Sequence, residues 1–464
     1  MGRTATVANQ GGFDGLIIRG KVVHGSLTDP LDDGAVVVKD DRIAWVGSWG
    51  DLPEDYSNGN FDTDQGPGRT ILPGLIDGHV HISFGEAQSE EELALYTPVE
   101  YRSIKAMWNA RKVLRAGVTS TFDAASTFNI AVAVRDAIRS GLFEGPRMTV
   151  CGRQLTTHQG LEDAFPSWME FPPGQAGVLV RSQDEILEAV RLQVKDGVDV
   201  IKVSGSSDSA VFNEPIEGSA FRPEEFQLIA DEVHRLDRKC AVHARSRDSV
   251  LRSAKAGFDW IMHASYIDDE GIDACLQNNV AITPALTLLA NMIESAKDEV
   301  GASALDVFKS EIDAAADGLS RAHKAGVPII AGSESGWSLV PFGHWHAKEM
   351  EIFVDLLGLS PLEAIHTATA GAARTQARLS DEIGVLEAGR LADLIVIDGD
   401  PLKDIKVLQQ KSRFHMVMQG GRQVDLTTPI PEPPRWPYEK HRLYLPGNFV
   451  YNENLGGGET VVPG

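Results

Sequence analysis

Eight short apolar runs alternate with amphipathic segments between about residues 74 and 333, and this alternation constrains the fold more than any other feature of the chain. The runs are GLIDGHVHI, GVTSTFD, PRMTVCG, VDVIKVSG, CAVHA, FDWIMHA, VAITPAL and VPIIAGS. Helical periodicity follows nearly every run, for example in PVEYRSIKAMWNARKVLRAG and RPEEFQLIADEVHRLDRK. Such a succession of strand and helix units is typical of an α/β fold of the (β/α)8 or TIM-barrel type.

The two ends of the chain have a different pattern, in which short alternating strands are separated by Gly and Asp turns. FDGLIIRGKVV lies near the start, and IGVLEAGRLADLIVIDGDP lies near the end. We predict that residues 1–72 and 379–426 together build a small β-sandwich domain beside a barrel over residues 73–378. Residues 427–464 are rich in Pro and Gly and are predicted to form an extended C-terminal arm.

Charge limits the partners of this chain. Acidic residues outnumber basic residues, 66 to 43, and the net charge is -23. A chain of this charge repels phosphate backbones and anionic lipids, so a small molecule is the expected partner rather than nucleic acid or a membrane. The opening MGRTATVANQGG has no signal-like apolar run, which favours a cytoplasmic location. Three cysteines without CxxC spacing, Cys151, Cys240 and Cys275, are predicted to be buried thiols.

His79 and His81 end the first apolar run as a His-x-His pair. In a strand, residues two apart point to the same face, so one metal ion can bind both imidazoles. Surface or core pairs of histidines also arise by chance, but this pair follows the first strand of the predicted barrel. In that fold the active site lies at the carboxyl ends of the strands, so both residues are predicted metal ligands.

Lys202 ends the fourth run, VDVIKVSG, in an apolar setting that lowers the pKa of an amine. A neutral lysine can react with carbon dioxide to give a carbamate, which is an anionic oxygen ligand. An ordinary ion pair between Lys202 and a nearby carboxylate explains the same residue equally well.

His243 and His263 end the fifth and sixth runs, so two consecutive strands deliver an imidazole to the same rim. Glu334 follows the eighth run in PIIAGSESGW. Its carboxylate could bind the metal and accept the proton of metal-bound water, which makes it the predicted general base. The alternative for Glu334 is the N-cap of a following short helix.

A second His-x-His pair, His344 and His346, lies in PFGHWHAKEM after the last run and is predicted to support the ligands, to contact substrate or to be exposed. Trp337 lies in the same loop and is a predicted substrate contact. Aromatic residues in the loops after the third and eighth runs either pack in the core, which is the commoner case, or line a pocket for an apolar substrate: Phe165, Trp168, Phe171, Trp337, Phe342 and Trp345.

Taken together, these segments resemble the amidohydrolase superfamily, in its prolidase and imidazolonepropionase-like branch. LPGLIDGHVHI is similar to the opening metal motif of that family, DVIKVSG to its carboxylated-lysine strand, and VHA and MHAS to its later histidines. LEAGRLADLIVIDGDPLKDI resembles the closing β-domain signature. The likeness covers nearly the whole chain.

The resemblance implies a role for each matched residue. His79 and His81 would bind the more buried metal, Lys202 would be a bridging carbamate, and His243 and His263 would bind the other ion. His158, in QLTTHQG, resembles a histidine on the substrate side and is a candidate catalytic residue.

One position departs from the family pattern. Gly332, Ser333 and Glu334 stand where the family ordinarily has an aspartate in a G-T-D-like turn, which leaves the number of metals and the identity of the base open. The longer acid and the following GWSLVPFGHWH loop resemble the phenylurea and molinate hydrolases.

The expected activity is hydrolysis of an amide-like C–N bond or a carbamoyl bond in a small apolar molecule by metal-activated hydroxide. One or two divalent ions are expected, zinc first, followed by cobalt, manganese or iron, and a homo-oligomer is expected. A dipeptidase or N-acyl-amino-acid hydrolase remains open, with Arg153 as the cation for a substrate carboxylate. A deaminase and a metal-free scaffold protein also remain open.

Overall fold

The computed structural model describes residues 13–209, 216–295 and 302–431. The first twelve residues and residues 432–464 of the predicted arm lie outside this range. The strands of the described part are β1 (Gly15–Val22), β2 (Leu31–Lys39), β3 (Arg42–Ser48), β4 (Phe61–Pro73), β5 (Leu75–Val80), β6 (Val118–Asp123), β7 (Arg147–Val150), β8 (Gln154–Thr156), β9 (Gly177–Leu179), β10 (Val200–Ser204), β11 (Lys239–Ala244), β12 (Trp260–His263), β13 (Ala281–Thr283), β14 (Leu394–Asp398), β15 (Phe414–Gln419) and β16 (Arg422–Gln423). Its α-helices are α1 (Glu54–Ser57), α2 (Val99–Arg115), α3 (Ile130–Arg139), α4 (Gln183–Lys195), α5 (Pro223–Arg235), α6 (Arg247–Lys255), α7 (Asp269–Asn278), α8 (Leu286–Ser295), α9 (Ala302–Ala325), α10 (Lys348–Ile352) and α11 (Pro361–Thr367).

Both ends of the chain contribute to one seven-stranded sheet, with the order β16-β15-β14-β4-β1-β2-β3. The long strand β4 joins the two halves, because it pairs in parallel with β1 and antiparallel with β14. Apolar side chains cover both faces: Ile18 and Val36 belong to one buried cluster, and Ile17 and Val37 belong to another. The prediction that the two chain ends complete one sheet is confirmed, while their arrangement as a sandwich stays a prediction.

The middle of the chain forms two parallel sheets, β5-β6-β7 and β13-β12-β11-β10-β8-β9. Helices α2 to α7 follow the strands as the sequence pattern predicts, so the described part is a mixed α/β fold. A parallel bridge from Cys151, just after β7, to Val200 of β10 connects the two sheets. Within the larger sheet, Ser204 pairs with His243 and Ala244 pairs with His263, so the carboxyl ends of β10, β11 and β12 lie side by side.

The eighth apolar run departs from the prediction, because it makes only isolated contacts instead of a regular strand. Ile329 forms a single parallel bridge to Ile282 of β13, and Ser335 forms another to Val80 of β5. This segment therefore lies between β13 and β5, where the prediction puts it, without a continuous ladder.

Backbone geometry explains the irregularity. Glu334 has a φ of 59°, in the left-handed region that turns an extended chain away from its partner. Just before it, Gly332 packs so closely that a Cβ would lie 2.6 Å from Cβ of His79. The close approach and the turn interrupt the regular ladder, although the amide of Glu334 still donates to the carbonyl of His79 and the amide of His81 donates to that of Ser335.

The helices begin at caps that the sequence encodes. At the start of α11, the Ser360 side chain accepts from the amide of Glu363, and the Glu363 side chain accepts from the amide of Ser360, with Pro361 in the first helical position. Ser182 caps α4 in a similar way through the amide of Glu185. These caps fix where each helix leaves the loop that precedes it.

Two further predictions concern burial and membranes. The three cysteines are free and buried, as predicted. Across residues 13–209, 216–295 and 302–431, no helix combines the length and apolar character needed to cross a bilayer.

Candidate metal centre

A cavity of about 350 Å³ opens at the carboxyl ends of the parallel strands. Its size is suited to a small molecule. The predicted ligands His79, His81, Lys202, His243 and Glu334 line it. Apolar side chains form much of the remaining wall, among them Phe84, Leu161, Phe165, Leu288, Met292 and Trp337.

His79 and His81 direct their rings to one point. Their Nε2 atoms are 3.1 Å apart. Two nitrogens that bind one tetrahedral ion at ~2.05 Å are about 3.3 Å apart, so this spacing suits a shared ion. Ligand atoms of His79, His81 and Glu334 all lie within 4.8 Å of one another, and all three residues are buried. His81 is held by stacking on Phe84, with 4.3 Å between the ring centroids.

His243 and His263 extend this group. Their ring centroids are 4.5 Å apart, and the His263 ring lies 5.3 Å from that of His79. Nε2 of His263 lies 4.0 Å from Oε1 of Glu334. Burial and nearby cations lower the pKa of His79, His243 and His263 well below the usual range, and burial lowers that of His81 to about 3. All four rings are therefore neutral, which is the form that binds metal.

Several of these buried polar atoms have no hydrogen-bond partner. Within the described ranges, both ring nitrogens of His263 and Oε2 of Glu334 are unpartnered. Buried polar atoms are almost always satisfied, so such a concentration requires an explanation. A divalent ion would satisfy them, since imidazole nitrogen and carboxylate oxygen are ligands for zinc and related ions. The residues of the cluster fit a metal centre.

Lys202 lies in the same cavity, buried at the end of β10. The one hydrogen-bond contact of its Nζ among the described residues is Sδ of Met262, at 2.6 Å. Burial lowers the pKa of Lys202 to about 8. The ion pair with a carboxylate, which the sequence left open, is not formed within the described residues.

Two of the site residues have unusual backbone conformations. His263 has a φ of 73°, and the next residue, Ala264, has a φ of 52°. Glu334 has a φ of 59°. Left-handed conformations of residues other than glycine are uncommon and cluster at functional sites, where the surrounding fold holds them in place.

Asp77 is a residue of the site that the sequence prediction missed. Its Oδ1 accepts from the amides of His79 and Ser333, at 3.0 Å each, and its Oδ2 lies 2.7 Å from Nδ1 of His346. Nε2 of His346 accepts from the amide of Gly343, so the proton is on Nδ1 and is donated to Asp77. His346 thus positions β5 and the turn at Ser333 through Asp77. Asp77 could have been found from its place two residues before His79, on the same strand face.

A buried charge network behind His243 was also missed. Arg245 is fully buried and donates to Asp208 at 2.6 Å and to Glu311 at 2.8 Å. Nε2 of His243 lies 3.7 Å from Oδ2 of Asp208. The signal in the sequence was an arginine two residues after His243, directly after the end of β11.

Replacing Arg245 with methionine should lower the free energy of unfolding by about 3–5 kcal/mol, because Asp208 and Glu311 would be left as buried charges without their cation. Urea unfolding followed by circular dichroism measures this. Arg247→Met is the matched control, since Arg247 pairs with Asp268 and Glu270 at the exposed surface, and its loss should have little effect. Equal stability of the Arg245→Met protein and the unaltered protein would show that the two carboxylates do not depend on Arg245.

The predicted substrate contacts divide into two groups. Trp337 lines the cavity, and its ring contacts Phe84 at 5.1 Å between centroids. In the described part, the cavity lining does not include His158, Arg153 or His344. The side chain of His158 is 63% exposed and lies beside Asp163, with 3.0 Å between Nδ1 and Oδ2. Nε2 of His344 lies 3.3 Å from Nζ of Lys411.

The aromatic residues of the predicted loops also fall into two groups, those that line the cavity and those that do not. Phe165 and Trp337 line the cavity, whereas Trp168 is 85% exposed. Phe342 and Trp345 are buried in the core. The apolar character of the cavity therefore depends on fewer aromatic residues than the sequence pattern indicates.

Comparison with known families matches residues 70–424 to the amidohydrolase family model. A shorter segment, residues 34–56, matches a bacterial imidazolonepropionase-like composite domain. These matches confirm the resemblance seen in the sequence motifs.

Known proteins similar to this chain include ochratoxinase from Aspergillus niger, which is 28% identical over 88% of this chain and 86% of the relative. The crystal structure of that ochratoxinase has a TM-score of 0.78 and covers 88% of this chain and 95% of its own. A Xaa-Pro dipeptidase with bound methionine in the active site is 26% identical, with a TM-score of 0.77 over 89% of this chain and all of its own. Molinate hydrolase is 23% identical, with a TM-score of 0.73 over 92% of this chain and 98% of its own, and shares the fold.

Proposed function

The chain belongs to the amidohydrolase family, and from that premise we propose that it is a metal-dependent hydrolase that cleaves an amide-like C–N or carbamoyl bond of a small apolar molecule. The observation that carries this proposal is the group of ligand atoms from His79, His81 and Glu334 that lie within 4.8 Å of one another at an apolar cavity, with the neutral rings of His243 and His263 beside them. Unpartnered atoms of His263 and Glu334 support it. A homo-oligomer and a cytoplasmic location stay predictions.

We infer that the two parallel sheets and the segment around Ile329 form one closed (β/α)8 barrel. The bridges between β7 and β10, between β13 and Ile329, and between β5 and Ser335 support this closure. Residues 73–378 would then be the barrel, and residues 1–72 and 379–426 would be its accessory β domain. This arrangement explains why the candidate ligands lie at the carboxyl ends of the strands.

We propose His79, His81, His243, His263 and Glu334 as the residues that would hold the divalent metal, with Lys202 joining them as a carbamate if two ions bind. Zinc is the first expectation from the donor set, followed by cobalt, manganese or iron. A bound ion would polarise the scissile carbonyl and supply a nucleophile from water near neutral pH.

The remaining steps belong to the side chains of this protein. Glu334 would accept a proton from the attacking water and give it to the leaving nitrogen or sulfur. Burial raises the pKa of Glu334 to about 8, whereas Arg245 lowers it. A group with a pKa near the working pH can both accept and donate a proton. The apolar wall would hold the substrate and limit the entry of bulk water.

Carboxylation of Lys202 is open to a direct test. Protein equilibrated with ¹³C-labelled bicarbonate should give a carbamate signal in ¹³C NMR that is absent in Lys202→Ala, because the buried amine has a lowered pKa and is partly neutral near pH 8. Lys255→Ala is the matched control, since Lys255 is an exposed lysine paired with Glu270. Identical spectra of the unaltered protein and Lys202→Ala would contradict the carbamate and favour a site in which the histidines bind a single metal ion.

A dipeptidase or N-acyl-amino-acid hydrolase is the second candidate, favoured by the likeness to a Xaa-Pro dipeptidase. It needs a cation beside the substrate carboxylate, and Arg153 is absent from the described cavity lining. A deaminase would use one metal without Lys202, and a scaffold protein would need no metal.

The deciding experiment is hydrolysis of a panel of anilides, ureas, carbamates, thiocarbamates and dipeptides by protein loaded with zinc, cobalt, manganese or iron. Metal-dependent release of amine or thiol from the anilides, ureas or carbamates supports the proposal. Turnover confined to dipeptides supports the second candidate, and absence of both bound metal and turnover supports a scaffold.

A further inference from the structure

One wall of the cavity carries acidic side chains that the proposed hydrolysis does not use. Glu90, Glu91 and Glu162 line the cavity together with Gln154, and they are separate from the histidines in the sequence. Glu90 and Glu91 follow β5, Gln154 begins β8, and Glu162 lies between β8 and β9. We refer to these four residues as the acidic wall.

The carboxylates of the acidic wall are bridged by amides instead of cations. Nε2 of Gln175 donates to Oε2 of Glu162 at 3.1 Å and to Oε2 of Glu90 at 3.4 Å. Nε2 of Gln154 donates to Oε1 of Glu162. The pair is therefore held in place by neutral amide donors, and no cation takes part in these contacts.

Two more acceptors of this wall have no partner at all. In the part of the chain that the structure describes, Oε2 of Glu91 and Oε1 of Gln154 are buried without a hydrogen bond. Glu91 is 4% exposed and Gln154 is 1% exposed, and both line the cavity. Buried acceptors without a donor are costly, so this arrangement calls for donors from a ligand.

Cations are scarce around the cavity. Lys202 is the only lysine or arginine among the described lining residues, and it belongs to the candidate metal centre. Burial raises the pKa of both Glu90 and Glu162, with a further contribution to Glu90 from the neighbouring Glu162. A raised pKa favours the neutral carboxyl, and a cation bound beside these groups would favour their charged form, since Lys202 is the only cation of the described lining.

We propose that the acidic wall is a subsite for a protonated amine, or for another group rich in N–H donors, on the apolar substrate of this hydrolase. A cationic amine would donate to Glu90, Glu162 and the unpartnered oxygens, while its carbon chain would contact apolar residues such as Leu161 and Phe165. This inference rests on the proposed function and narrows its substrate class to amides or carbamoyl compounds that carry an amine. It disfavours substrates with a free carboxylate, because the wall would repel them.

Three 4-nitroanilides that differ only at the far end of the acyl chain provide the test: 5-aminopentanoyl, hexanoyl and 5-carboxypentanoyl. The cationic compound should have a kcat/KM about 10- to 100-fold above that of the neutral one, as expected for hydrogen bonds to buried charged groups. The anionic compound should be the poorest. Release of 4-nitroaniline by the metal-loaded protein measures all three.

Single variants locate the effect. Glu162→Gln and Glu90→Gln should each bring the ratio of cationic to neutral kcat/KM toward one, because either change removes a carboxylate from the wall. Glu188→Gln, at an exposed position on α4, is the matched control and should keep the full ratio. Two separate wall variants guard against a folding defect in either one.

Calorimetric titration with benzylamine and with benzyl alcohol tests the subsite without turnover. Preferential binding of benzylamine that is lost in Glu162→Gln supports the acidic wall, even if none of the anilides is hydrolysed. The proposed function itself fails only if the ureas, carbamates and thiocarbamates of the panel are not hydrolysed either. Equal kcat/KM for the cationic and neutral anilides, or equal binding of the two benzyl compounds, would overturn the proposed subsite. Neither result would contradict the proposed hydrolase function.

Discussion

Replacing His79 or His81 with alanine should remove the bound metal and abolish hydrolysis, with little change in overall fold. The two Nε2 atoms are 3.1 Å apart in a buried cluster, so each ring would supply one of the few ligands of the proposed ion. Residues that only orient a ligand already weaken metal sites by about 10–100-fold when lost, and direct loss of a ligand should exceed that. Inductively coupled plasma mass spectrometry of the purified variants measures metal content, and hydrolysis of the best panel substrate measures activity.

Two other histidines serve as controls for this prediction. His415→Ala removes an exposed histidine of β15 that pairs with Asp64, and should change neither metal content nor activity. His234 belongs to the other described group that could hold an ion, together with Cys240 and Asp259. These two residues lie at the amino ends of β11 and β12, away from the candidate metal centre. His234→Ala tells whether any metal found belongs to that group. Full metal content and activity in either His79→Ala or His81→Ala would show that the metal centre lies elsewhere in the protein.

Glu334→Gln should lower kcat by about 10²–10⁴-fold while KM and metal content change little, because glutamine keeps the size of the side chain but cannot accept the proton. The carboxylate is buried, with Oε1 4.0 Å from Nε2 of His263 and Oε2 unpartnered in the described part. Measurement of kcat and KM separates a proton-transfer defect from a binding defect.

Two comparisons sharpen the Glu334 prediction. Glu334→Asp keeps basicity but retracts the carboxylate by one methylene, so it should lose less activity than Glu334→Gln. Glu349→Gln tests another buried carboxyl outside the cluster, which accepts from the amides of Leu286 and Thr287, and it should alter stability more than kcat. Near-native kcat in Glu334→Gln would show that another residue is the general base. His158, His344 and His346 would then be replaced in turn.

The strand period explains why the convergence of the candidate ligands could be predicted. His79 and His81 are two residues apart, and His243 and His263 each end an apolar run, so their convergence follows from parallel strands with aligned carboxyl ends. Lys202 could be placed in the cavity by the same argument. Its chemical state could not, because carboxylation depends on the groups around Nζ and not on the apolar run alone.

Other features depended on contacts between segments far apart in the chain. The eighth strand was predicted as regular, yet the turn at Glu334 and the packing of Gly332 against His79 interrupt it. His344 and His346 are neighbours in one motif, but His346 contacts Asp77 whereas His344 lies beside Lys411. His344 and His346 have the same His-x-His spacing as His79 and His81, but they lie in a loop and not in a strand. Their side chains therefore point into two different environments.

The sequence by itself determined the order of strands and helices, the rim that carries the candidate ligands and the family, because hydrophobic period and short motifs are local properties of the chain. Only the tertiary structure decided which polar residues share the cavity. Glu90 and Glu162 are separated by more than 70 positions, yet one amide of Gln175 bridges them. Such proximity depends on how loops fold over the ends of the strands, and no periodic pattern encodes that packing.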